Sequence, residues 1–375
     1  MTAVADAFDW GLLEPAGRAG SVVSDDRILD AMVELESAHL AAWSSLIDVE
    51  NTATLDATAL DREALLRESR RSGVPVVGLA QALRRQGGTL VHQGMTSQDV
   101  VDSALMMVSR DALTGARDAL QAAGRRFAAL AREHRGTPFA VRTLTQEAET
   151  TTLGAVIGGW LDVVSSAVET VDAAKFPLQL GGAVGDGEAF GRLAGRPDAV
   201  AILRRRISAA LGLADPGRAW HTDRSPVLAV TRAAASICSA GGRVGRDLAL
   251  LARDGVATPL HGGASSAMPH KKNPVDAVLL VANGLRVSGP VAVLQVASLS
   301  YDARPAGEWH AEWQAWRETL RLAAESASLL QNAADDLVIQ ARRAPATTTT
   351  MAPRGAPELD AAIARFERLR EGDPS

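Results

Sequence analysis

From Asp99 onward the sequence falls into five long segments, at about 99–134, 148–175, 223–254, 274–300 and 305–341, each well beyond the length of an ordinary helix. In the third, Val230, Ala234, Ile237, Gly241, Val244, Leu248 and Leu251 recur at helical spacing, and in the fifth Trp309, Trp313, Trp316, Leu320, Ala324 and Ala327 do the same. Several segments are apolar on more than one face, so the helices next to them in the chain cannot cover them. The expectation is an all-α protein whose long central bundle is extended by other subunits into a tetrameric helical core. Strand-like alternation is nearly absent.

The chain before Asp99 reads differently. Ser24, Asp25 and Asp26 offer cap chemistry for a run through Ile28, Met32, Leu35, Leu40 and Leu46, and shorter helices follow to about Gly88. After Arg343 a stretch rich in threonine, alanine and proline reads as a linker, and 358–371 as one short amphipathic helix at the periphery. The expected organisation is a small N-terminal helical domain at 1–98, the long-helix bundle at 99–343, and a reduced C-terminal part at 344–375.

Hydrophobic residues make up 47% of the chain but aromatics only 4%, so alanine, leucine and valine must do the packing, which suits closely approaching helices. The formal net charge of −5 gives no basic field to hold nucleic acid or a membrane surface. An anionic ligand has to be met by a local cluster. The single cysteine, Cys238, excludes a disulfide framework and a cysteine-based zinc site, and reads as a core residue. No metal and no cofactor is expected. Nothing at the N-terminus resembles a signal peptide, and no stretch approaches the ~20 uninterrupted apolar residues of a spanning helix, so a cytoplasmic location is expected.

The strongest local signal is the loop formed by Gly262, Gly263, Ala264, Ser265, Ser266, Met268, Pro269, Lys271, Asn273 and Pro274. The proline suits a helix's first turn, where backbone N–H groups, Lys271 and Asn273 can receive a carboxylate. Ser265 could act as a base only if a nearby cation and the helix dipole stabilise its alkoxide. On residue types alone an ordinary capped inter-helix loop fits as well.

This segment resembles the signature loop of the fumarase/aspartase superfamily at every fixed position except Ala264, where glycine is usual. The resemblance implies that Ser265 is the catalytic base and that Lys271 and Asn273 bind substrate carboxylate. A second stretch, with His92, Gly94, Thr96, Ser97 and Asp99, is similar to the superfamily's first conserved segment. It implies substrate hydrogen bonds from Thr96 and Ser97 and a catalytic or substrate-contacting role for His92, which otherwise reads as a satisfied structural histidine. Asp99 would cap the helix that follows.

A third stretch, Arg142 to Gln146, resembles the second conserved segment, but Leu144 stands where members that release an amine or hydroxyl carry a histidine. Cycloisomerase members lack that histidine too, because their leaving group is a carboxylate, already stable as an anion. Two further stretches, one with Trp220, His221, Thr222 and Arg224, the other with Arg304, Gly307, Trp309, Glu312 and Trp313, resemble that branch. The resemblance implies interconversion of 3-carboxy-cis,cis-muconate and 4-carboxymuconolactone in a homotetramer with shared sites. The small polyanionic substrate would be surrounded by Arg224, Lys271 and Arg304. The rivals are an elimination lyase acting on a succinyl compound and a non-catalytic helical oligomer.

Overall fold

The computed structural model describes residues 21–264, 268, 271–340 and 355–371. The chain begins with α1 (Asp25–Leu46), α2 (Arg62–Ser72) and α3 (Val76–Gly87). Ser24 caps α1 by accepting from the Arg27 N–H, with Asp25 and Asp26 in the first turn where the helix dipole favours them. The 37-residue α4 (Ser97–Glu133) opens with a capping box in which Thr96 and Asp99 satisfy each other's backbone N–H groups.

A hairpin of β1 (Pro138–Thr143) and β2 (Gln146–Thr152) follows, then α5 (Leu153–Asp172), which starts after the strand because Thr150, Thr151 and Thr152 favour extended backbone and Thr152 caps the helix. Next come α6 (Glu188–Ala194), α7 (Ala199–Leu211), α8 (Ser225–Arg253) and β3 (Ala257–Pro259). The segment expected as one helix at 274–300 is two, α9 (Val275–Arg286) and α10 (Ser288–Ala297). Pro290 explains the break, since it lacks an N–H and its ring crowds the carbonyl four residues back. The chain ends with α11 (Glu308–Asp335), β4 (Leu337–Ile339) and α12 (Ala356–Glu371).

The protein is mostly helical, built on α4, α5, α8, α9 and α11. Gly242 of α8 and Gly284 of α9 bring two backbones together: a Cβ on either would sit 3.1 Å from the other's Cα. Trp160, Phe127, Ile237, Val244, Trp316 and Leu330 fill the interior between the long helices. The shortage of strand signal in the sequence hid two small antiparallel pairs, β1 with β2 and β3 with β4.

The short C-terminal helix is not peripheral. Phe366 is 2% exposed and seats its ring on Gly124 of α4, while Arg365 forks onto Glu169 of α5 at 2.9 and 2.6 Å.

Candidate active site

The connection into α4 bends at Gly88 (φ 80), His92 (φ 63) and Gly94 (φ 77). Those positive angles turn the His92 ring inward, where Nδ1 lies 2.6 Å from Oε1 of the buried Glu36 on α1. Two turns of chemistry follow within a few residues. Thr96, the cap of α4, receives a hydrogen bond from Arg304 Nη2 at 2.8 Å, and the same nitrogen reaches the Ala183 carbonyl at 3.3 Å. Ser97 is half-buried in the first turn. The structure therefore joins Arg304 to Thr96 across 208 residues of chain, with His92 and Ser97 on the same connection.

Beneath this connection Asp99 is fully buried and accepts from five donors: the backbone N–H of Thr96, Gly181 and Gly182, Gln179 Nε2 and His221 Nε2, at 2.9–3.2 Å. These hydrogen bonds fix the start of the glycine-rich turn at 181–187 against the cap. Glu36 and this network escaped the sequence reading. The glycine run Gly181, Gly182, Gly185 and Gly187 was the available signal for the turn.

Arg224 corrects an expectation. It is 2% exposed, and all three guanidinium nitrogens are engaged: Nη1 with Asp102 Oδ2 at 2.7 Å, Nε and Nη2 with Glu312 at 2.9 and 2.6 Å. Burial opposes its charge, but the two carboxylates outweigh it and hold the guanidinium above its ordinary range. Burial likewise pushes the Glu312 carboxyl up against the pull of Arg224. Trp309 Nε1 donates to Asp102 at 2.9 Å, and the guanidinium lies 5.0 Å from the Trp220 ring centre. With every donor committed and no face open, Arg224 joins α4, α8 and α11 and leaves nothing for a substrate.

The glycine-rich loop closes at its base, where Gly263 and Asn273 exchange backbone hydrogen bonds of 2.8 and 3.0 Å. Asn273 Nδ2 lies 3.4 Å from the Ala264 carbonyl, Lys272 Nζ donates to the Leu260 carbonyl at 2.8 Å, and Lys271 is exposed just before α9. Ser265 lies outside the described residues. A cavity of about 520 Å³ behind the first turn of α9 is lined by His261, Asn273, Asp276, Asp335 and Asp336 among others. Its carboxylates suit an anionic substrate poorly, so its size is no guide to where the chemistry lies.

Arg142 at the hairpin pairs with Asp254 at the end of α8, and the hairpin's two turn residues, Leu144 (φ 48) and Thr145 (φ 72), stand clear of the body. Leu144 is 96% exposed. The α4 cap meets the beginning of α8, because Gln98 Nε2 donates to the His221 carbonyl and Asp102 holds Arg224. The hairpin and the glycine-rich loop lie at its far end. At ~1.5 Å per residue the length of α8 separates these groups by roughly 40 Å. One chain brings Thr96 and Arg304 together, but not these with Lys271 and Asn273.

Long packed helices, with the Thr96–Arg304 cluster at one end of α8 and the glycine-rich loop at the other, define a helical-bundle protein. A family model described as "Lyase" matches residues 48–289, and the chain belongs to that lyase family, within the fumarase/aspartase superfamily. It is 38% identical over 366 residues to a nitrosuccinate lyase of Streptomyces davaonensis, covering 91% of this chain and 77% of that protein. It is 31% identical over 344 residues to a 3-carboxy-cis,cis-muconate cycloisomerase of Pseudomonas aeruginosa, covering 86% and 74%. The crystal structure of 3-carboxy-cis,cis-muconate lactonizing enzyme from Pseudomonas putida superposes with a TM-score of 0.76 at 26% identity, covering 94% of this chain and 77% of that one.

Proposed function

We propose that this enzyme eliminates nitrite from 2-nitrosuccinate to give fumarate, in a homotetramer of the cytoplasm whose sites are shared between subunits. The observation that carries this is Leu144: the hairpin tip presents a hydrocarbon at the place where lyases of amines and alcohols are expected to keep a proton donor. A leaving group that receives no proton must depart as a weakly basic anion. Both a carboxylate and nitrite meet that demand, and the Streptomyces relative named nitrosuccinate lyase favours nitrite.

The proton leaves the methylene carbon next to one carboxylate, with Ser265 as base. The electron pair forms the C=C bond, the C–N bond breaks, and its pair departs with nitrite. Lys271, Asn273 and the N-terminus of α9 receive the carboxylate whose neighbouring carbon loses the proton, where negative charge develops. Thr96, Ser97, His92 and Arg304 receive the other end of the molecule. Because α8 holds these groups apart within one chain, they meet only where subunits meet.

The α9–α10 stretch supports that assembly. By length and composition Val275–Ala297 is apolar enough to cross a membrane: its most apolar window has a mean hydropathy of 1.7 and only 28% of that window is buried. Asp276, Asn283, Arg286 and Gln295 interrupt it, and its exposed face, with Val278, Leu285, Val293 and Val296, fits a subunit interface of the helical core.

A second function, cycloisomerisation of 3-carboxy-cis,cis-muconate, is favoured by the Pseudomonas relatives and meets the same demand at Leu144 with an internal carboxylate. The test is to give the enzyme each compound and follow nitrite colorimetrically, fumarate by ultraviolet absorbance, and loss of the muconate chromophore. Nitrite and fumarate should appear in equal amounts, above the spontaneous rate, and Ser265→Ala should abolish both. Muconate consumed with no enzymatic nitrite would overturn the proposal.

A further inference from the structure

The chemistry above leaves a carboxylate on α1 unexplained. Glu36 lies on the inward face of α1, next to the core residue Leu35, at 0% exposure, where an apolar side chain would pack without any partner. Its Oε1 lies 2.6 Å from His92 Nδ1, while Oε2 has no hydrogen-bond partner. A buried acid is retained against its desolvation only where something else requires it.

His92 is shaped to meet it. The residue holds a left-handed backbone at φ 63, which a non-glycine side chain resists, and Gly88 and Gly94 on either side make the same sense of turn. The His92 side chain nonetheless keeps 13% of its surface exposed. Since Nδ1 faces a fully buried oxygen, the edge bearing Nε2 is the one left to look outward, and among the described residues Nε2 makes no hydrogen bond. Four residues further on, Thr96 begins α4 and holds Arg304.

We infer that Glu36 is a positioning residue for His92: its Oε1 accepts a hydrogen bond from Nδ1–H, thereby selects the tautomer and ring orientation, and presents Nε2 at the mouth of α4. A buried carboxylate that orients an imidazole through one nitrogen makes the other nitrogen a defined acceptor or proton carrier. This rests on the placement of His92 in the proposed site, and it is independent of which anion leaves.

The test uses the full-length oligomer as Glu36→Gln, which keeps the shape and removes the charge, together with His92→Asn and the double variant. Two readouts are taken. The first is kcat and KM with whichever of nitrosuccinate or carboxymuconate the wild type turns over. The second is the rate at which diethyl pyrocarbonate modifies His92, followed by peptide mass spectrometry, which needs no substrate. Glu36→Gln should lower kcat/KM about 10- to 100-fold, yet change it less than about twofold in the His92→Asn background, because both replacements disable one unit. Modification of His92 should slow about fivefold or more, since the carboxylate no longer polarises the ring. If the two losses multiply in the double variant, or if melting temperature falls while kcat/KM per folded enzyme is unchanged, Glu36 is a structural residue and the inference fails. Should the enzyme turn over neither compound, the function above is wrong and the modification rate alone decides: an unchanged rate overturns the role of Glu36.

Discussion

Lowering the pH should destabilise this protein through His39, and His39→Leu should remove that part of the loss. His39 is completely buried against Trp43 and Phe190, with ring centres 5.8 and 6.4 Å away. Neither ring nitrogen has a well-formed hydrogen bond. Burial is the main cause that pushes the imidazole from 6.5 down to about 4; Glu36, Asp99 and the Gln93 backbone oppose the shift, and His92 adds to it. The unfolded chain therefore binds a proton that the folded chain refuses, and stability falls as pH drops through the window from 6.5 to 4 and levels off below it. Between pH 8 and pH 5 the loss is about 2 kcal/mol per chain, approaching about 3 kcal/mol below pH 4. Urea unfolding at fixed subunit concentration, run on wild type and His39→Leu at pH 8, 7, 6 and 5, gives the difference curve in which carboxylates common to both cancel. The leucine protein should gain about 2 kcal/mol on wild type across that range. Parallel stability curves would refute the assignment of a neutral buried His39.

Arg224→Met should destabilise the chain by about 3–5 kcal/mol in denaturant, because it leaves Asp102 and Glu312 buried without their cation; lost turnover at unchanged stability would return Arg224 to the substrate. Leu144→His should leave nitrite release unchanged or weaker, as nitrite needs no proton, and product analysis showing strong turnover of a succinyl amine would overturn the leaving-group reasoning. Phe366→Ala should lower stability by about 3 kcal/mol in the same unfolding assay by opening a cavity over Gly124; no loss would mean that α12 does not hold α4 and α5 together.

The long helices were legible because a period of 3.6 repeated over seven or more turns leaves no competing pattern, as in α8 and α11. The strands were not, since three residues at 257–259 are too few to alternate and the β1–β2 turn uses Leu144 and Thr145 in place of the glycine or asparagine that signals a hairpin. The docking of α12 depends on Gly124, whose bare backbone looks like any other glycine until Phe366 is placed on it. Arg224 was misread for a related reason. An arginine in a motif looks the same whether it faces a ligand or two carboxylates 122 and 88 residues away. The loop chemistry of Lys271 and Asn273 could be read locally, but the distance that α8 imposes between that loop and Thr96 could not.

Asp99 also dictates when the mouth of α4 takes shape. Its partners arrive 80 to 122 residues later in the chain, at Gln179, Gly181, Gly182 and His221. During synthesis α4 can wind, with its Thr96–Asp99 cap, as soon as its 37 residues are free, but Asp99 does not have its full set of partners until residue 221 has emerged. Closing loops of that length is slow relative to helix growth. The connection carrying His92, Thr96 and Ser97 therefore sets later than the helix it opens, and a chain arrested before 221 is a helical intermediate with no site.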